Sequence, residues 1–179
     1  MPEPACPPSI LLAGIGNIFQ ADDAFGSEVA RRLADRSWPA GVKLVDYGIR
    51  AIDLTYALLE PRDLTILIDA VSRGGPPGAL YLIEPDLDVL QTEARATAPA
   101  LDGHTMDPLQ VLRAVALQGG LGGRLLLVGC EPGDLGGEEG RMGLTAPVQA
   151  AVVEACDMVA SLVADFAADP HTQGKARHA

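Results

Sequence analysis

Residues 64–69 read Leu64-Thr65-Ile66-Leu67-Ile68-Asp69, a short apolar run that ends in a carboxylate. The run is rich in β-branched residues and is apolar at successive positions, so both faces of a strand formed here would be apolar. Strands of this kind are typical of parallel sheets that are covered by helices on both sides. The stretch therefore predicts a buried parallel strand with Asp69 at its carboxyl end.

Apolar runs and amphipathic segments alternate along the rest of the chain. The pattern predicts further strands at 9–13, 42–46, 79–83 and 124–129, and helices at 25–33, 52–60, 147–166 and from Asp107-Pro108 onward. This order predicts a single three-layer α/β domain, with a twisted, mainly parallel β-sheet flanked by helices. We expect the domain to span residues 9–166, between a flexible N-terminus at 1–8 and a polar, disordered C-terminal tail at 167–179.

Composition narrows the classes of partner and the compartment. The formal net charge of −11 argues against nucleic acid and anionic membranes, since phosphate binding depends on Lys and Arg. The cysteines, Cys6, Cys130 and Cys156, form no CxxC pair, which is typical of free thiols in a reducing compartment. The apolar runs are far shorter than the ~20 residues of a transmembrane helix. We expect a soluble, cytoplasmic protein.

The loop after the first strand begins Gly14-Ile15-Gly16-Asn17 and continues to Asp22-Asp23. A strand followed by Gly-x-Gly invites a dinucleotide-binding interpretation, but the third glycine of that motif would fall at Phe19. The two carboxylates would also repel a pyrophosphate at the start of the next helix. The loop therefore disfavours a nucleotide site.

Two interpretations of the acidic residues remain open. Asp22 and Asp23 are explained by helix capping, which we favour on spacing alone, or by a cation site to which Asn17 contributes. Asp69 is either a structural residue bonded to a neighbouring loop or a ligand or catalytic group, because a buried carboxylate without a partner is costly. Asp46 ends the second strand in the same way, and we expect it to form a salt bridge with Arg50.

Few residues offer other chemistry. His104 is the only histidine in the predicted domain, since His171 and His178 belong to the tail. A lone loop histidine is usually a surface or capping residue, but its imidazole would add nickel, zinc or copper selectivity to a carboxylate site. Cys130 follows the last strand, where a nucleophile could lie, but we interpret it as a small apolar wall residue.

Taken in order, these segments resemble the hydrogenase maturation endopeptidases, over roughly residues 9–165. The motifs that carry the resemblance are Gly14-Ile15-Gly16-Asn17 with Asp22-Asp23 and Gly26, Asp46-x-Gly48, Ile68-Asp69-Ala70, His104, Gly129-Cys130-Glu131-Pro132 and Gly143-Leu144-Thr145. The chain departs from the family pattern at Phe25, Tyr47 and Ile49, and residues 85–103 match nothing in it. By this resemblance, the departures are expected to affect chiefly which hydrogenase precursor the protein accepts.

The resemblance implies a function and a site. Members of the family remove a C-terminal extension from the large-subunit precursor of nickel-iron hydrogenases. The metal-reading positions fall on Asp23, Asp69 and His104, which are implied as both the metal-binding and the catalytic residues, with no general base assigned. The implied metal is nickel supplied by the substrate, and we expect no tightly held metal of the protein's own. The alternatives are a non-catalytic chaperone for the precursor and a small-molecule- or nucleotide-binding α/β enzyme.

Overall fold

The computed structural model describes residues 6–96 and 107–168. The strands of its sheet are β1 (Ile10–Ile15), β2 (Val42–Gly48), β3 (Leu64–Ala70), β4 (Leu80–Ile83) and β5 (Arg124–Cys130). The helices are α1 (Phe25–Leu33), α2 (Ala51–Leu59), α3 (Leu87–Ala96), α4 (Pro108–Leu117) and α5 (Ala146–Ala168), and a short 3₁₀ turn (Ala21–Ala24) precedes α1.

The sheet confirms the predicted α/β class. Its strand order is β2-β1-β3-β5-β4, and β1, β2, β3 and β5 are parallel, while β4 pairs antiparallel with β5 at the edge. The run at 64–69 forms β3, which lies between β1 and β5 with Leu64 through Asp69 all buried. Its double-sided apolar character is thus explained by helices on both faces of the sheet.

Each face of the sheet has its own apolar core. On one face α1 and α5 pack against β1, β3 and β5, with Phe25 among the fully buried side chains. On the other face α2, α3 and α4 cover the alternate residues of the same strands, and Tyr47 packs into that core. Two positions at which the chain departs from the family pattern, Phe25 and Tyr47, are therefore core positions in this fold.

Helix α3 lies within residues 85–103, for which the sequence predicted no element. The Asp86 side chain accepts hydrogen bonds from the backbone N–H groups of Asp88 and Val89 at its start, at 3.0 and 3.1 Å. Helix α5 ends at Ala168, two residues beyond the predicted domain boundary. The flexible N-terminus and the disordered tail remain predictions. Among the described helices, none has both the length and the apolar character needed to cross a membrane.

Helix α1 approaches the sheet unusually closely, because glycines stand at the points of contact. A Cβ atom on Gly26 would lie 2.0 Å from the Ile68 carbonyl oxygen and 2.2 Å from that of Ile15. A Cβ atom on Gly14 would lie 2.5 Å from the Ala30 Cβ. This contact brings the turn at 21–24, with its two aspartates, against the carboxyl end of β3.

Candidate active site

The loop between β1 and α1 holds the Asp23 carboxylate in place. The backbone N–H of Asn17 donates to Asp23 Oδ2 at 2.9 Å, and Asn17 Oδ1 accepts from the N–H of Phe19 at 3.0 Å. Gly16 has a φ of 145°, and a Cβ there would come within 1.9 Å of the Asp23 carbonyl oxygen. Only glycine fits this position, so the Gly-x-Gly serves the loop's own packing.

Asp69 lies at the carboxyl end of β3 and is only 6% exposed. Burial raises its pKa well above the usual 3.8, the nearby charge of Asp23 raises it further, and Asp107 adds to the effect. The Ala70 N–H opposes these influences by hydrogen bonding to the carboxylate. Because burial disfavours the charged form, Asp69 holds a proton more tightly than an exposed aspartate, and a neighbouring cation would favour its release.

Asp23 is partly exposed and faces the same site. Burial raises its pKa above the usual 3.8, and the hydrogen bond from the Asn17 N–H partly offsets this. Asp23 and Asp69 therefore form a carboxylate pair in which the charge of Asp23 disfavours ionisation of Asp69. Carboxylate oxygens with an imidazole form a donor set that suits first-row metals such as nickel.

The predicted trio of Asp23, Asp69 and His104 stays a prediction, because His104 lies outside the described residues. Asp23 lies close enough to Asp69 for its charge to act on that carboxylate. Within residues 6–96 and 107–168, no group of three or more His, Cys, Asp or Glu side chains could hold a metal ion. Asp107 is a third carboxylate, close enough for its charge to raise the pKa of Asp69. The sequence predicted Asp107 only as the residue that begins a helix. Its Oδ1 caps α4 by accepting from the Leu109 N–H at 2.9 Å.

The predicted capping role of Asp22 and Asp23 is wrong, since neither side chain caps the turn at 21–24 or α1. Asp22 is fully buried and binds the connection between β5 and α5. Its carboxylate accepts from the backbone N–H groups of Gly133, Asp134 and Thr145 at 2.6–3.0 Å, and from the Thr145 hydroxyl at 2.8 Å. Burial alone would raise the pKa of Asp22, but these bonds outweigh it and lower the pKa.

The predicted Asp46–Arg50 salt bridge is also wrong. The Asp46 side chain accepts from the Ser27 hydroxyl at 2.8 Å and the Gly48 N–H at 3.0 Å. The Arg50 guanidinium instead donates to the backbone carbonyls of Asp46 and Tyr47 and pairs with Asp53 at 3.4 Å. Asp46 thus ties β2 to α1, because Ser27 lies in the first turn of that helix.

The interpretation of Cys130 as a wall residue is confirmed. Its side chain is fully buried, and burial raises the pKa of the thiol to about 12, with the charges of Asp22 and Glu131 adding to the effect. A thiol in this state carries almost no nucleophilic thiolate at neutral pH.

The role of the next residue, Glu131, was not predicted from the sequence. Its buried carboxylate accepts from the N–H groups of Arg73 and Gly74 at 2.8 and 3.2 Å, and from the Tyr81 hydroxyl at 2.8 Å. These bonds hold the connection that follows Asp69. The only signal in the sequence was the place of Glu131 in the motif at 129–132.

A covered parallel sheet with a carboxylate pair at its carboxyl edge defines a candidate α/β enzyme. Residues 27–162 match the HycI family model, described as hydrogenase maturation protease. The chain belongs to the hydrogenase maturation protease family, and it is a protease of hydrogenase maturation.

Similar proteins agree with this assignment. The hydrogenase expression/formation protein HupM of Azotobacter chroococcum mcd 1 is 32% identical over 159 residues, which are 88% of this chain and 73% of HupM. The hydrogenase maturating endopeptidase HybD from E. coli matches with a TM-score of 0.68 and 29% identity, covering 88% of this chain and 93% of HybD. The hydrogenase 2 maturation peptidase from Thaumarchaeota archaeon SCGC_AB-539-E09 matches with a TM-score of 0.65 and 29% identity, covering 87% and 98%.

Proposed function

We propose that this chain removes a C-terminal extension from the large-subunit precursor of a nickel-iron hydrogenase, and that it acts on precursor already loaded with nickel. The observation that carries the proposal is the buried Asp69 carboxylate beside Asp23. Two carboxylates held close together, one of them buried, are costly to ionise without a cation. A metal ion arriving on the substrate would relieve that cost.

The donor set supports a metal borrowed from the substrate. Asp23 and Asp69 supply two carboxylates, and we propose His104 as the third ligand. Three protein ligands leave coordination positions free, as in metal sites that accept a further ligand. The precursor's own ligands would occupy those positions. Productive binding would then require nickel on the precursor, so that unloaded precursor is rejected.

The proposed reaction is peptide hydrolysis beside the metal. Nickel on the precursor would polarise the carbonyl of the scissile bond, and a carboxylate of the pair would take a proton from the attacking water. The water oxygen would bond to the carbonyl carbon, the C–N bond would break, and the leaving amine would take up the proton held by that carboxylate.

The test compares purified precursor with and without nickel, incubated with this protein and examined for shortening by electrophoresis and mass spectrometry. We expect the nickel-loaded precursor alone to lose its extension. Equal cleavage of both forms would overturn the metal-reading mechanism and leave the protease assignment intact. A stable complex with nickel-loaded precursor that is never shortened would instead support the chaperone alternative.

The second test addresses the residues. Asp69→Asn and His104→Ala should each lower cleavage of nickel-loaded precursor by at least about 100-fold, because each removes a proposed metal ligand. Asp165→Asn is the matched control, since Asp165 is exposed on α5, and it should cleave at the normal rate. Full activity in either of the first two variants would show that the residue concerned is not part of the site.

A further inference from the structure

The loop between β1 and α1 is hydrogen-bonded to a distant part of the chain, the connection between β5 and α5. The backbone N–H of Ala21 donates to the Arg141 carbonyl at 2.6 Å, and the N–H of Arg141 donates to the Phe19 carbonyl at 2.9 Å. The N–H of Asp22 donates to the Asp134 carbonyl at 3.0 Å. These backbone bonds join two segments that are more than 110 residues apart in the sequence.

The connection between β5 and α5 is shaped to fit against this loop. A Cβ atom on Gly140 would lie 2.7 Å from the Phe19 carbonyl oxygen, so a larger residue there would push the two segments apart. The Asp134 side chain accepts from the Gly136 N–H at 2.8 Å and pairs with the Arg141 guanidinium at 2.8 Å. The connection is therefore held in one shape by its own contacts, and it can act as a support for the loop.

Ala21 has a backbone conformation that alanine rarely adopts. Its φ is 46°, and among the residues that the structure describes it is the only non-glycine residue with a positive φ. The left-handed conformation brings a Cβ atom too close to the next carbonyl oxygen, so it is unfavourable for alanine. It persists only where the surroundings enforce it, and residues of this kind cluster at functional sites. The enforcing contacts here are the bonds to the connection between β5 and α5.

The side chain of Asp22 supplies further bonds between the loop and the connection. Its carboxylate accepts from three backbone N–H groups of the connection and from the Thr145 hydroxyl. The Asp23 side chain accepts one bond within the described part of the chain, from the N–H of Asn17 in its own loop. Because Asp23 directly follows Asp22, fixing Asp22 limits where the Asp23 carboxylate can lie relative to Asp69.

We propose that Asp22, together with the Thr145 hydroxyl, is a positioning residue for cleavage, an inference that rests on the proposed function. Asp22 holds Ala21 in its left-handed conformation and so places the Asp23 carboxylate beside Asp69. It touches neither the precursor nor its nickel. A carboxylate suits this position because all four groups that face it are donors, whereas the amide of an asparagine would turn its own N–H groups toward one of them.

Thr145→Val tests the proposal with the smallest change. It removes the hydroxyl and leaves the backbone N–H of residue 145 bonded to Asp22. Thr145→Ser is the conservative variant, since it keeps the hydroxyl. Thr55→Val is the matched control, because it removes another buried hydroxyl bond, to the Ala51 carbonyl at 2.8 Å within α2.

Cleavage of nickel-loaded precursor is measured at a temperature at which circular dichroism shows every variant to be folded. The rate should fall about 10-fold in Thr145→Val and at least about 100-fold in Asp22→Asn, because a displacement of about 1 Å at a reacting group can cost that much. Thr145→Ser and Thr55→Val should cleave close to the normal rate. Normal cleavage by Thr145→Val would overturn the positioning role.

Amide hydrogen exchange, followed by NMR, is a second readout that needs no precursor. The N–H of Asn17, which bonds to Asp23 Oδ2, should exchange about 10-fold faster in Thr145→Val. The N–H of Val29, on the buried face of α1, should exchange as in the unmodified protein. Equal acceleration at both sites would mean that Asp22 only stabilises the fold, and unchanged exchange at Asn17 would also overturn the proposal. If exchange changes as expected but even the unmodified protein never cuts nickel-loaded precursor, the proposed function fails and the positioning of Asp23 stands.

Discussion

Asp22 and Asp23 are neighbours in the sequence, yet their surroundings give them opposite properties. Asp22 receives hydrogen bonds from three backbone N–H groups and a hydroxyl, which lower its pKa despite burial. Asp23 receives one N–H, and burial raises its pKa. Asp22 is thereby fixed as a structural anion, while Asp23 remains available for a proton or a cation.

Asp69 has a consequence for stability that can be measured. Its pKa is higher in the folded protein than the usual 3.8. Between pH 3.8 and the folded pKa, Asp69 is therefore protonated in the folded protein but ionised in the unfolded chain. The contribution of Asp69 to stability is full below about pH 3.8 and is lost as the pH rises through the folded pKa. At pH 7 the folded protein bears the cost of burying the Asp69 charge. Asp69→Asn is uncharged at every pH, so it should remove that cost and raise Tm by about 2–4 °C for each kcal/mol relieved.

Thermal unfolding at pH 7 and below pH 4 tests this expectation. The gain in Tm should shrink at the lower pH, where Asp69 becomes protonated in the unfolded chain as well. Asp165→Asn on the exposed face of α5 should leave Tm unchanged. A lower Tm for Asp69→Asn at pH 7 would mean that the Asp69 charge is already compensated in the folded protein.

For individual residues, the sequence predicts the place in the fold better than it predicts the hydrogen-bond partners. Asp69 could be placed at the carboxyl end of the sheet because it ends an apolar run that forms a parallel strand. The partners of Asp22 could not be predicted, because they lie more than 110 residues further along the chain. Arg50 was misassigned because backbone carbonyls compete with carboxylates for its donors.

Helix α1 depends on a residue with no side chain at all. Gly26→Ala would place a Cβ about 2 Å from two carbonyl oxygens, so α1 must move away from β1 and β3. We expect a loss of about 3 kcal/mol or more in the free energy of unfolding, as in severe overpacking. Urea unfolding measures this loss. Cleavage should fall as well, since the turn that carries Asp23 shifts with the helix.

Gly122→Ala is the control for this change. A Cβ there meets its nearest neighbour at 3.6 Å, an ordinary contact, and the stability should stay within about 0.5 kcal/mol of the original. If Gly26→Ala were equally harmless, the close approach of α1 would not be what holds it in place.

The secondary structure shows where pattern is informative. The strands and most helices were predicted within a few residues, because long apolar faces repeat at a fixed period. Helix α3 was missed since it buries only Leu90 and Ala94, too few to mark a helical face. Its sequence start at Pro85-Asp86 was the available signal.

The whole chain is stabilised by the packing of α5 into the apolar core that it shares with α1, on one face of the sheet. Val163 and Phe166 belong to that core, whereas the polar residues 169–179 are predicted to contribute little. Ending the chain after Ala168 should leave the free energy of unfolding within about 0.5 kcal/mol. Ending it after Ala160 should lower it by at least about 3–5 kcal/mol, the usual cost of losing one buried Phe.

Chemical denaturation of the two shortened chains gives the answer. Similar stability of both would show that the end of α5 is dispensable, and a large loss from the first truncation would contradict the predicted tail.

The hydrogen bonds that Asp22 accepts from Gly133, Asp134 and Thr145 also determine how early the first loop can become ordered during synthesis. They join the first loop to a segment that a ribosome delivers more than 110 residues later. Until that segment emerges, the Asp22 carboxylate has no partners, and the loop beside it lacks its anchor. Contacts so distant in sequence form late in folding. A growing chain therefore lacks these hydrogen bonds beside the proposed active site until synthesis has passed Thr145.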